Sequence, residues 1–430
     1  MRYKSPNKEF FIKNRAKLVN FLPKNSVVVI NSNDEMPRNG DQNFPFRQNS
    51  DLFYLTGLDQ EKCILLLCPD HPEESKREIV FTIEADENMV IWNGHRYAKE
   101  EVAEICGVEN VQWTGAFESF LRDLVLQSEH VFLNQIEYPK YQTEVPYKDL
   151  RFANEIKVKF PENSIKRVAP LLAKLRGVKE PEELEMMQKA ADITNKAFYK
   201  VLKTTRPGVM EYEVEAEMTY EFLHNGAAGH AYPPIIASGE SACILHYIDN
   251  DKVCNDGDLM LMDFGAEYGN YAADVSRTIP VNGKFTPRQS ECYNAVLRVM
   301  KKAIKLYVPG NTINKVDKIV KKMMEAEMVS LGLFTEEDVK NQNSDSPMYF
   351  RYFMHGMNHY LGLDVHDVGA KDTEFVEGMV LTCEPGLYIA EEKIGIRIEN
   401  DIVVGEEPFD LTRNIPREID EIEKIMQERK

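Results

Sequence analysis

The segment LMLMDFGAEYGNYAADVSRTI, residues 259–279, contains two apolar, strand-like runs on either side of the turn-prone residues AEYGN. This pattern predicts a β-hairpin, which would bring Asp263 and Asp274 onto neighbouring strands among apolar side chains. Either aspartate alone would ordinarily cap a turn or face water. Two ionised carboxylates in an apolar setting repel each other and lose hydration, so they are tolerated when one holds a proton or a cation neutralises them. The pair therefore indicates a cation site.

A repeated order of elements surrounds this hairpin. RPGVMEYEVEAEMTYEFLHNGA, from Arg206, is similar to VPGNTINKVDKIVKKMMEAEMVSLG, from Val308. Each copy follows a long amphipathic segment, 181–203 and 286–307, and each precedes strand-like sequence. Chance similarity between two amphipathic helices is the alternative, but the shared order favours a duplicated α/β half. A duplication predicts a pseudo-twofold domain with a cleft between its halves, a favoured place for a site.

The first 160 residues have a different pattern, in which short apolar runs alternate with amphipathic segments and predict an α/β layer structure. The runs lie at 26–30, 63–68, 78–83 and 130–134. The basic, helix-prone stretch 164–183 carries no strand signal, so we place the domain boundary near residue 172. The predicted fold class is α/β, with domains at 1–172 and 173–430.

Composition excludes several classes of function. The chain has 430 residues, 43% of them hydrophobic, which is enough for two cores, and its formal charge of -18 disfavours binding to nucleic acid or to anionic membranes. Seven cysteines without a C-x-x-C pair suggest reduced thiols instead of disulfides or structural zinc. We find neither a secretory h-region nor an apolar run of about 18 residues, so we expect a soluble, cytoplasmic protein.

A second pair of acidic residues lies in the other predicted half. Glu384 follows the apolar run VLTC, and Glu399 lies in IGIRIENDIVV two residues after Arg397. A spacing of two on a strand places Arg397 and Glu399 on the same face. Alone, Glu399 would form an ion pair and Glu384 would face water.

Three of the nine histidines lie in RYFMHGMNHYLGLDVHD, residues 351–367. His355 and His359 are four apart and would share a face of a helix, although Gly356 argues against a regular helix. The zinc-binding pattern H-E-x-x-H is not matched, because residue 356 is not glutamate. Lone histidines are usually structural, but three near a predicted cleft with four carboxylates favour a metal centre.

Four carboxylates and one imidazole form an oxygen-rich donor set, which suits Mn²⁺ and similar divalent ions better than structural zinc. Two ions could share these donors. A pair of ions about 3.5 to 4 Å apart binds a bridging hydroxide and polarises an oxyanion, which indicates hydrolysis.

These segments resemble those of the pita-bread metallopeptidases, in particular the bacterial-type Xaa-Pro aminopeptidases, also called aminopeptidase P. The resemblance in the second domain rests on residues 262–286, 355–369, 377–389 and 395–404, in that order. Residues 43–57, NFPFRQNSDLFYLTG, and 91–97, IWNGHRY, resemble stretches of the family's N-terminal domain. The implied fold is a creatinase-like N-terminal α/β domain followed by a pseudo-twofold pita-bread catalytic domain.

The resemblance also implies the residues of the site. Two divalent metal ions per subunit, with Mn²⁺ favoured, would be held by Asp263, Asp274, His359, Glu384 and Glu399. Asp263 would bind one ion and His359 the other, with Asp274 and Glu399 between them. The other active-site positions of the family correspond to His246, His355, His366 and Arg397.

The implied activity is release of the N-terminal residue from peptides with proline in second position. Hydroxide held by both ions would attack the carbonyl carbon before proline, and Glu384 would pass its proton to the proline nitrogen. His246 or His366 would stabilise the oxyanion, while His355 and Arg397 would frame the proline ring. The family also implies a homodimer or homotetramer, in which Trp92 would reach a neighbouring subunit.

Several alternatives remain open at this point. A prolidase uses the same fold and ligands on Xaa-Pro dipeptides only. Methionine aminopeptidases lack the N-terminal domain, and creatinase-type relatives lack this ligand set. Some pita-bread proteins have lost catalysis and bind peptides or histones, but loss of ligands marks that route and all five are present here.

Overall fold

The computed structural model describes residues 3–84, 86–138 and 143–428. The chain divides into two compact units, the first being Ser5–Arg176 and the second the residues from Gly177 onward together with those that precede Ser5. Both units combine helices and strands, as the predicted α/β fold class requires.

The first unit contains one mixed β-sheet with helices around it. Within the described residues its helices are α1 (Lys8–Val19), α2 (Ser50–Thr56), α3 (Glu87–Asn93), α4 (Lys99–Cys106), α5 (Phe117–Leu126), α6 (Lys148–Lys159) and α7 (Ala169–Arg176). Its strands are β1 (Ser26–Asn31), β2 (Pro37–Asn39), β3 (Gln42–Asn43), β4 (Ile64–Leu67), β5 (Glu78–Thr82), β6 (Asn110–Trp113), β7 (His130–Leu133) and β8 (Ser164–Arg167).

The order of strands in this sheet is β6-β5-β4-β1-β7-β8. The four predicted apolar runs became β1, β4, β5 and β7, which are almost wholly buried, as strands covered on both faces are. The expectation of no strand in 164–183 was wrong, because β8 pairs in parallel with β7 at the edge of the sheet. Its sequence, SIKR, is exposed or half-buried and so carries no apolar run.

The second unit contains longer helices and several small antiparallel sheets. Within the described residues its helices are α8 (Pro181–Thr204), α9 (Glu211–His224), α10 (Pro287–Ala303), α11 (Ile313–Ser330), α12 (Glu336–Asn341) and α13 (Ile419–Gln427). Its strands are β9 (Gly229–His230), β10 (Ile235–Ser238), β11 (Leu259–Phe264), β12 (Ala266–Tyr268), β13 (Tyr271–Ala272), β14 (Val275–Pro280), β15 (Val380–Cys383), β16 (Gly386–Ile389), β17 (Ile394–Arg397), β18 (Asn400–Val403) and β19 (Phe409–Asp410).

The order of elements repeats within this unit, as the sequence echo predicts. Helices α8 and α9 precede the strands β10, β11 and β14, and helices α10 and α11 precede β15 to β18. Helix α8 begins at Pro181 and α10 at Pro287, where the missing N–H of proline is not needed. The backbone N–H of Glu399 donates to the carbonyl of Ser276 at 3.0 Å, so strands from the two halves lie side by side.

Two expectations about the chain as a whole can be compared with the structure. The seven cysteines are free thiols. Over the described residues, no helix has both the length and the apolar character needed to cross a membrane.

Candidate metal centre

The predicted hairpin brings Asp263 and Asp274 together. Strands β11 and β14 are antiparallel with Asp263 opposite Ser276, and Asp274 immediately precedes β14. The hairpin closes tightly at Gly265, where a Cβ atom would lie 1.7 Å from the carbonyl oxygen of Ala273, so only glycine fits. The hydroxyl of Tyr232 lies 2.6 Å from Oδ1 of each aspartate. Burial, followed by the two carboxylates, raises the pKa of Tyr232 well above its ordinary value, so this hydroxyl is a donor.

The second half contributes His359, whose position is fixed by two contacts. Its backbone N–H donates to Thr382 Oγ1 at 3.1 Å, and its Nδ1 lies 2.9 Å from the carbonyl oxygen of Tyr360. Because Nδ1–H donates to that carbonyl, Nε2 is the ring nitrogen that can bind a metal once its proton is lost, as in many metal-binding histidines. Nε2 lies 3.4 Å from Asp274 Oδ2 and 3.8 Å from Glu384 Oε1.

Asp274, His359 and Glu399 form the core of a possible metal site. One donor atom from each residue lies within 4.8 Å of the others. Two of the three residues are buried and His359 is half-buried. Carboxylate oxygens and one imidazole nitrogen at this spacing are suitable donors for a divalent cation.

Arg397 connects the two halves on one side of this cluster. Its guanidinium donates to Asp263 Oδ2 at 2.6 Å, to Ser276 Oγ at 2.7 Å and to Tyr388 OH at 2.8 Å. The hydroxyl of Ser276 donates in turn to Glu399 Oε2 at 2.7 Å. Arg397 and Glu399 thus reach the same hydroxyl, which agrees with the shared face expected from their spacing.

The segment 351–367 is irregular, so His355 and His359 do not share a helical face. His355 Nδ1 lies 2.7 Å from the carbonyl oxygen of Gly356, and Nε2 lies 2.8 Å from Tyr388 OH. Its Nδ1 is also 3.5 Å from Glu384 Oε2. The rings of His359 and His366 meet edge to face with their centroids 4.5 Å apart.

One cavity of about 270 Å³ brings the predicted site residues together. It is lined by Asp263, Asp274, His359, Glu384, Glu399, His246, His355, His366 and Arg397. The other lining residues are Tyr232, Pro233, Ile235, Leu245, Ile248 and Val365. Every residue that the sequence analysis assigned to the site therefore faces this cavity.

Sequence reasoning did not find the residues that orient these groups. Tyr232, Ser276, Thr382 and Tyr388 each contact one or more of the predicted residues. Ser276 could have been found from the predicted hairpin, because it is two residues from Asp274 and faces the same side. Tyr232 lies outside that hairpin, and no local pattern marks it.

Burial of the cluster perturbs its acids and its imidazole. Burial raises the pKa of Glu384 to about 7, although His359 and Arg397 oppose that change. Burial and the neighbouring carboxylates also raise the pKa values of Asp274 and Glu399. Burial alone would lower the pKa of His359, but contact with Asp274 and the charge of Glu384 raise it to about 9. A divalent cation would offset the repulsion among these carboxylates, so the residues fit a bound metal.

The metal-free protein is expected to become less stable as the pH rises from about 6.5 to about 9, above the range in which the buried, neutral His355 has the opposite effect. Glu384, with a pKa of about 7 against an ordinary 4.5, holds its proton better in the folded state, so its deprotonation costs folding energy, fully felt once the pH has passed about 7. His359, raised from 6.5 to about 9, stabilises the fold when protonated and loses this contribution as the pH rises through 9. Tm measured across this range with a chelator should fall, and saturating Mn²⁺ should flatten the curve. Parallel curves with and without metal would contradict this reading of the cluster.

A two-half fold whose cavity holds a carboxylate-rich cluster suited to divalent cations is typical of metal-dependent hydrolases. The sequence model of metallopeptidase family M24 matches residues 185–406, and that of the aminopeptidase P N-terminal domain matches residues 11–132. The chain belongs to metallopeptidase family M24. Divalent metal ions are therefore its cofactors, and peptides are the kind of substrate its family hydrolyses.

The similarity to known proteins extends over both units. The Xaa-Pro aminopeptidase of Haemophilus influenzae is 36% identical, covering 97% of this chain and 97% of the relative, and that of Escherichia coli is 35% identical, covering 98% of each. The structure of E. coli aminopeptidase P with the inhibitor Pro-Leu matches with a TM-score of 0.89 at 34% identity, covering 99% of each chain. The expected aminopeptidase P-type N-terminal domain and pita-bread catalytic domain are confirmed.

Proposed function

We propose that this protein is a metal-dependent aminopeptidase that releases the N-terminal residue from peptides with proline in second position. The observation that carries the proposal is the single cavity containing all five candidate metal ligands and the four other predicted site residues. The similarity to Xaa-Pro aminopeptidases over 97% of the chain supports the choice of substrate.

We assign Asp263, Asp274, His359, Glu384 and Glu399 as ligands of two divalent ions. The oxygen-rich donor set favours Mn²⁺ over softer ions. When bound, the ions activate water for attack and polarise the peptide carbonyl.

Glu384 is the group best suited to move the proton. Its carboxylate faces the cavity, 3.8 Å from His359 Nε2, where it can act as a general acid-base group. In this scheme Glu384 takes a proton from the attacking water and gives it to the proline nitrogen as the peptide bond breaks. An amide nitrogen leaves poorly unless it is protonated as its bond to carbon breaks, so the departing proline nitrogen needs this proton.

The histidines have different assigned tasks. His246 and His366 are exposed on the cavity wall, where an N–H can donate to the carbonyl oxygen as negative charge develops on it. Burial, followed by the charge of Arg397, lowers the pKa of His355 to about 3, so His355 is neutral. Since its Nδ1–H donates to Gly356, its Nε2 accepts from Tyr388 OH. We assign His355 and Arg397 to framing the proline ring.

Recognition of proline has to rest on shape, because no N–H is present for a hydrogen bond. Ile235, Leu245, Ile248 and Val365 give the cavity apolar wall segments beside the charged cluster. These apolar side chains can pack against the proline ring and the side chain of the first substrate residue, and this packing needs no hydrogen-bond donor on the substrate.

The discriminating experiment compares a tripeptide Xaa-Pro-Xaa with the dipeptide Xaa-Pro in the presence of Mn²⁺. We expect cleavage of the Xaa–Pro bond in the tripeptide with kcat/KM at least about 10-fold above the dipeptide, a difference of about 1.4 kcal/mol in transition-state stabilisation. A tripeptide with alanine in second position serves as the control and should be cleaved poorly. Removal of metal by a chelator should abolish cleavage, and Mn²⁺ should restore it.

Two other outcomes would identify the alternatives. Cleavage of the dipeptide alone would indicate a prolidase. A protein that binds no metal and cleaves no proline peptide would be a peptide-binding member of the fold. The two bacterial relatives are named Xaa-Pro aminopeptidases, and the complete donor set argues against a purely binding role.

We further propose that the protein is cytoplasmic, does not bind nucleic acid or membranes, and forms a homodimer or homotetramer. Trp92 and Ile91 on α3 are 85% and 77% exposed, which supports association through the first unit. Light scattering of the purified protein measures the number of subunits, and a monomer at micromolar concentration would contradict the proposed assembly.

A further inference from the structure

Residues 360–367, which we call the histidine loop, connect two parts of the site. The loop is closed at its base, because the backbone N–H of Asp367 donates to the carbonyl of Tyr360 at 2.9 Å. His359 precedes the loop and His366 lies at its end, so closure brings their rings together. The loop should therefore set the position of His366 relative to the candidate metal ligand His359.

The histidine loop is also tied to the strands that lead to two other candidate ligands. The backbone N–H of Ala272, two residues before Asp274, donates to the carbonyl of Gly362 at 2.9 Å. The N–H of Leu361 donates to the carbonyl of Val380, on the strand that ends beside Glu384, at 3.1 Å. A displacement of the histidine loop would therefore also displace the backbone that leads to Asp274 and Glu384.

A buried ion pair lies against this loop. Lys179 Nζ donates to Asp367 Oδ2 at 2.9 Å, and both side chains are only 1% exposed. Asp367 Oδ1 accepts the backbone N–H of Val368 at 2.9 Å. A Cβ atom on Gly362 would lie 2.2 Å from Asp367 Oδ2 and 2.7 Å from Lys179 Nζ, so the pair packs directly on the loop backbone.

Backbone contacts on both sides of Lys179 hold this residue in place. The N–H of Lys179 donates to the carbonyl of Gly378 at 2.9 Å, and helix α8 begins two residues later at Pro181. Buried ion pairs contribute little net stability compared with apolar side chains of similar size. A geometric role explains such a pair better than stability does.

We propose that Lys179 is a positioning residue for hydrolysis, which acts by holding Asp367 and thereby fixing the histidine loop so that His366 faces the cavity beside His359. The effect on turnover rests on the proposed function, in which His366 donates to the developing oxyanion. Lys179 itself is not among the residues that line the cavity.

The test uses Lys179→Met, Asp367→Asn and the double variant, all loaded with Mn²⁺. Each should lower kcat on the proline tripeptide about 10- to 100-fold, with KM changed less than about threefold and with full metal content, because displacement of a catalytic group mainly slows the chemical step. Each single variant removes one charge of a buried ion pair and should lower Tm. The double variant should recover part of that stability but not kcat, since the buried Glu183 still loses the favourable charge of Lys179. His366→Ala is the benchmark for the size of the kcat loss.

Leu202→Ala is the control for loss of stability alone. Leu202 is fully buried on α8, about 30 Å along the helix from Lys179, so its truncation should lower Tm and leave kcat unchanged. Hydrogen–deuterium exchange provides a readout that does not depend on activity. Amides of the histidine loop should exchange faster in the Lys179 and Asp367 variants, while the amides of α11 keep their protection.

Wild-type kcat in the double variant, or unchanged exchange in the histidine loop, would overturn the proposal. A wild-type enzyme that cleaves no proline peptide would contradict the proposed function, while the exchange experiment would still decide the role of Lys179.

Discussion

Replacement of Glu384 by alanine is expected to reduce kcat on a proline tripeptide by at least about 10³-fold, because general acid-base catalysis alone contributes about 10² to 10⁴ and the assigned metal contact is lost as well. The Glu384 carboxylate lies 3.8 Å from His359 Nε2 and 3.5 Å from His355 Nδ1, within the cavity. The nearest other candidate for proton transfer, His355, is neutral with a pKa of about 3 and accepts from Tyr388, so it should not replace the lost carboxylate.

Metal analysis and a second variant separate the two roles assigned to Glu384. Glu384→Gln retains an oxygen donor but no basic carboxylate, so it should keep more metal than Glu384→Ala while turnover remains as low. Glu391→Ala is the matched control, since Glu391 is exposed, pairs with Arg351 and lies outside the cavity lining. Retention of more than about a tenth of wild-type kcat in Glu384→Ala would show that another group moves the proton, because loss of one such group typically costs at least 10²-fold.

The candidate ligands could be predicted from sequence because each lies in a short pattern with a local meaning. Asp263 and Asp274 lie in one hairpin, and the antiparallel register of β11 and β14 follows from its two apolar runs. Glu399 lies two residues from Arg397, so both could be expected to reach the same side, as their shared contact with Ser276 shows. Periodicity alone did not show that the segments carrying these ligands form one site. The resemblance to the family indicated that they do.

The supporting contacts could not be predicted because they depend on which distant segments meet. Tyr232 contacts aspartates 31 and 42 residues further along the chain, and Lys179 contacts an aspartate 188 residues away. The spacing of His355 and His359 suggested a helical face, but the segment is irregular and its histidines are fixed by Tyr388, Thr382 and neighbouring carbonyls. Strand β8 escaped detection because pairing with β7, and not an apolar pattern, places SIKR in the sheet.

Asp274→Asn is expected to abolish turnover and the stabilisation by metal, while making the metal-free protein more stable. Asp274 lies between the two halves, with Oδ1 2.6 Å from Tyr232 OH and Oδ2 3.4 Å from His359 Nε2. An amide of the same shape offers a neutral oxygen, which holds a divalent ion much more weakly than a carboxylate does, so kcat should fall by at least about 10³-fold. Wild-type protein should gain about 2.7 kcal/mol at a free metal concentration 100 times Kd, and the variant should gain almost none.

The higher stability expected of the metal-free Asp274→Asn variant follows from repulsion among the buried acids. Burial and the charge of Asp263 raise the pKa of Asp274, and the charge of Asp274 in turn raises the pKa values of Glu399 and Asp401. Removing the charge of Asp274 relieves its repulsion with the neighbouring carboxylates. Each 1 kcal/mol of stability gained should raise Tm by about 2 to 4 °C in a domain of this size. His359 loses an anionic partner in the variant, so the gain in stability should be largest above pH 9, where His359 is neutral in both proteins.

Asp249→Asn makes the same change of charge at an exposed position and should alter neither metal binding nor Tm. Calorimetry of both variants with a chelator measures how much the Asp274 charge destabilises the metal-free protein. Calorimetry with Mn²⁺ measures how much stability the bound metal adds when that charge is present. If Asp274→Asn lowered the stability of the metal-free protein, the carboxylates would be held by protons and hydrogen bonds without strain, and the cluster would not need a cation. If the variant instead gained stability and lost metal, the buried acids would be a feature that destabilises the fold and is retained because hydrolysis requires the ions it binds.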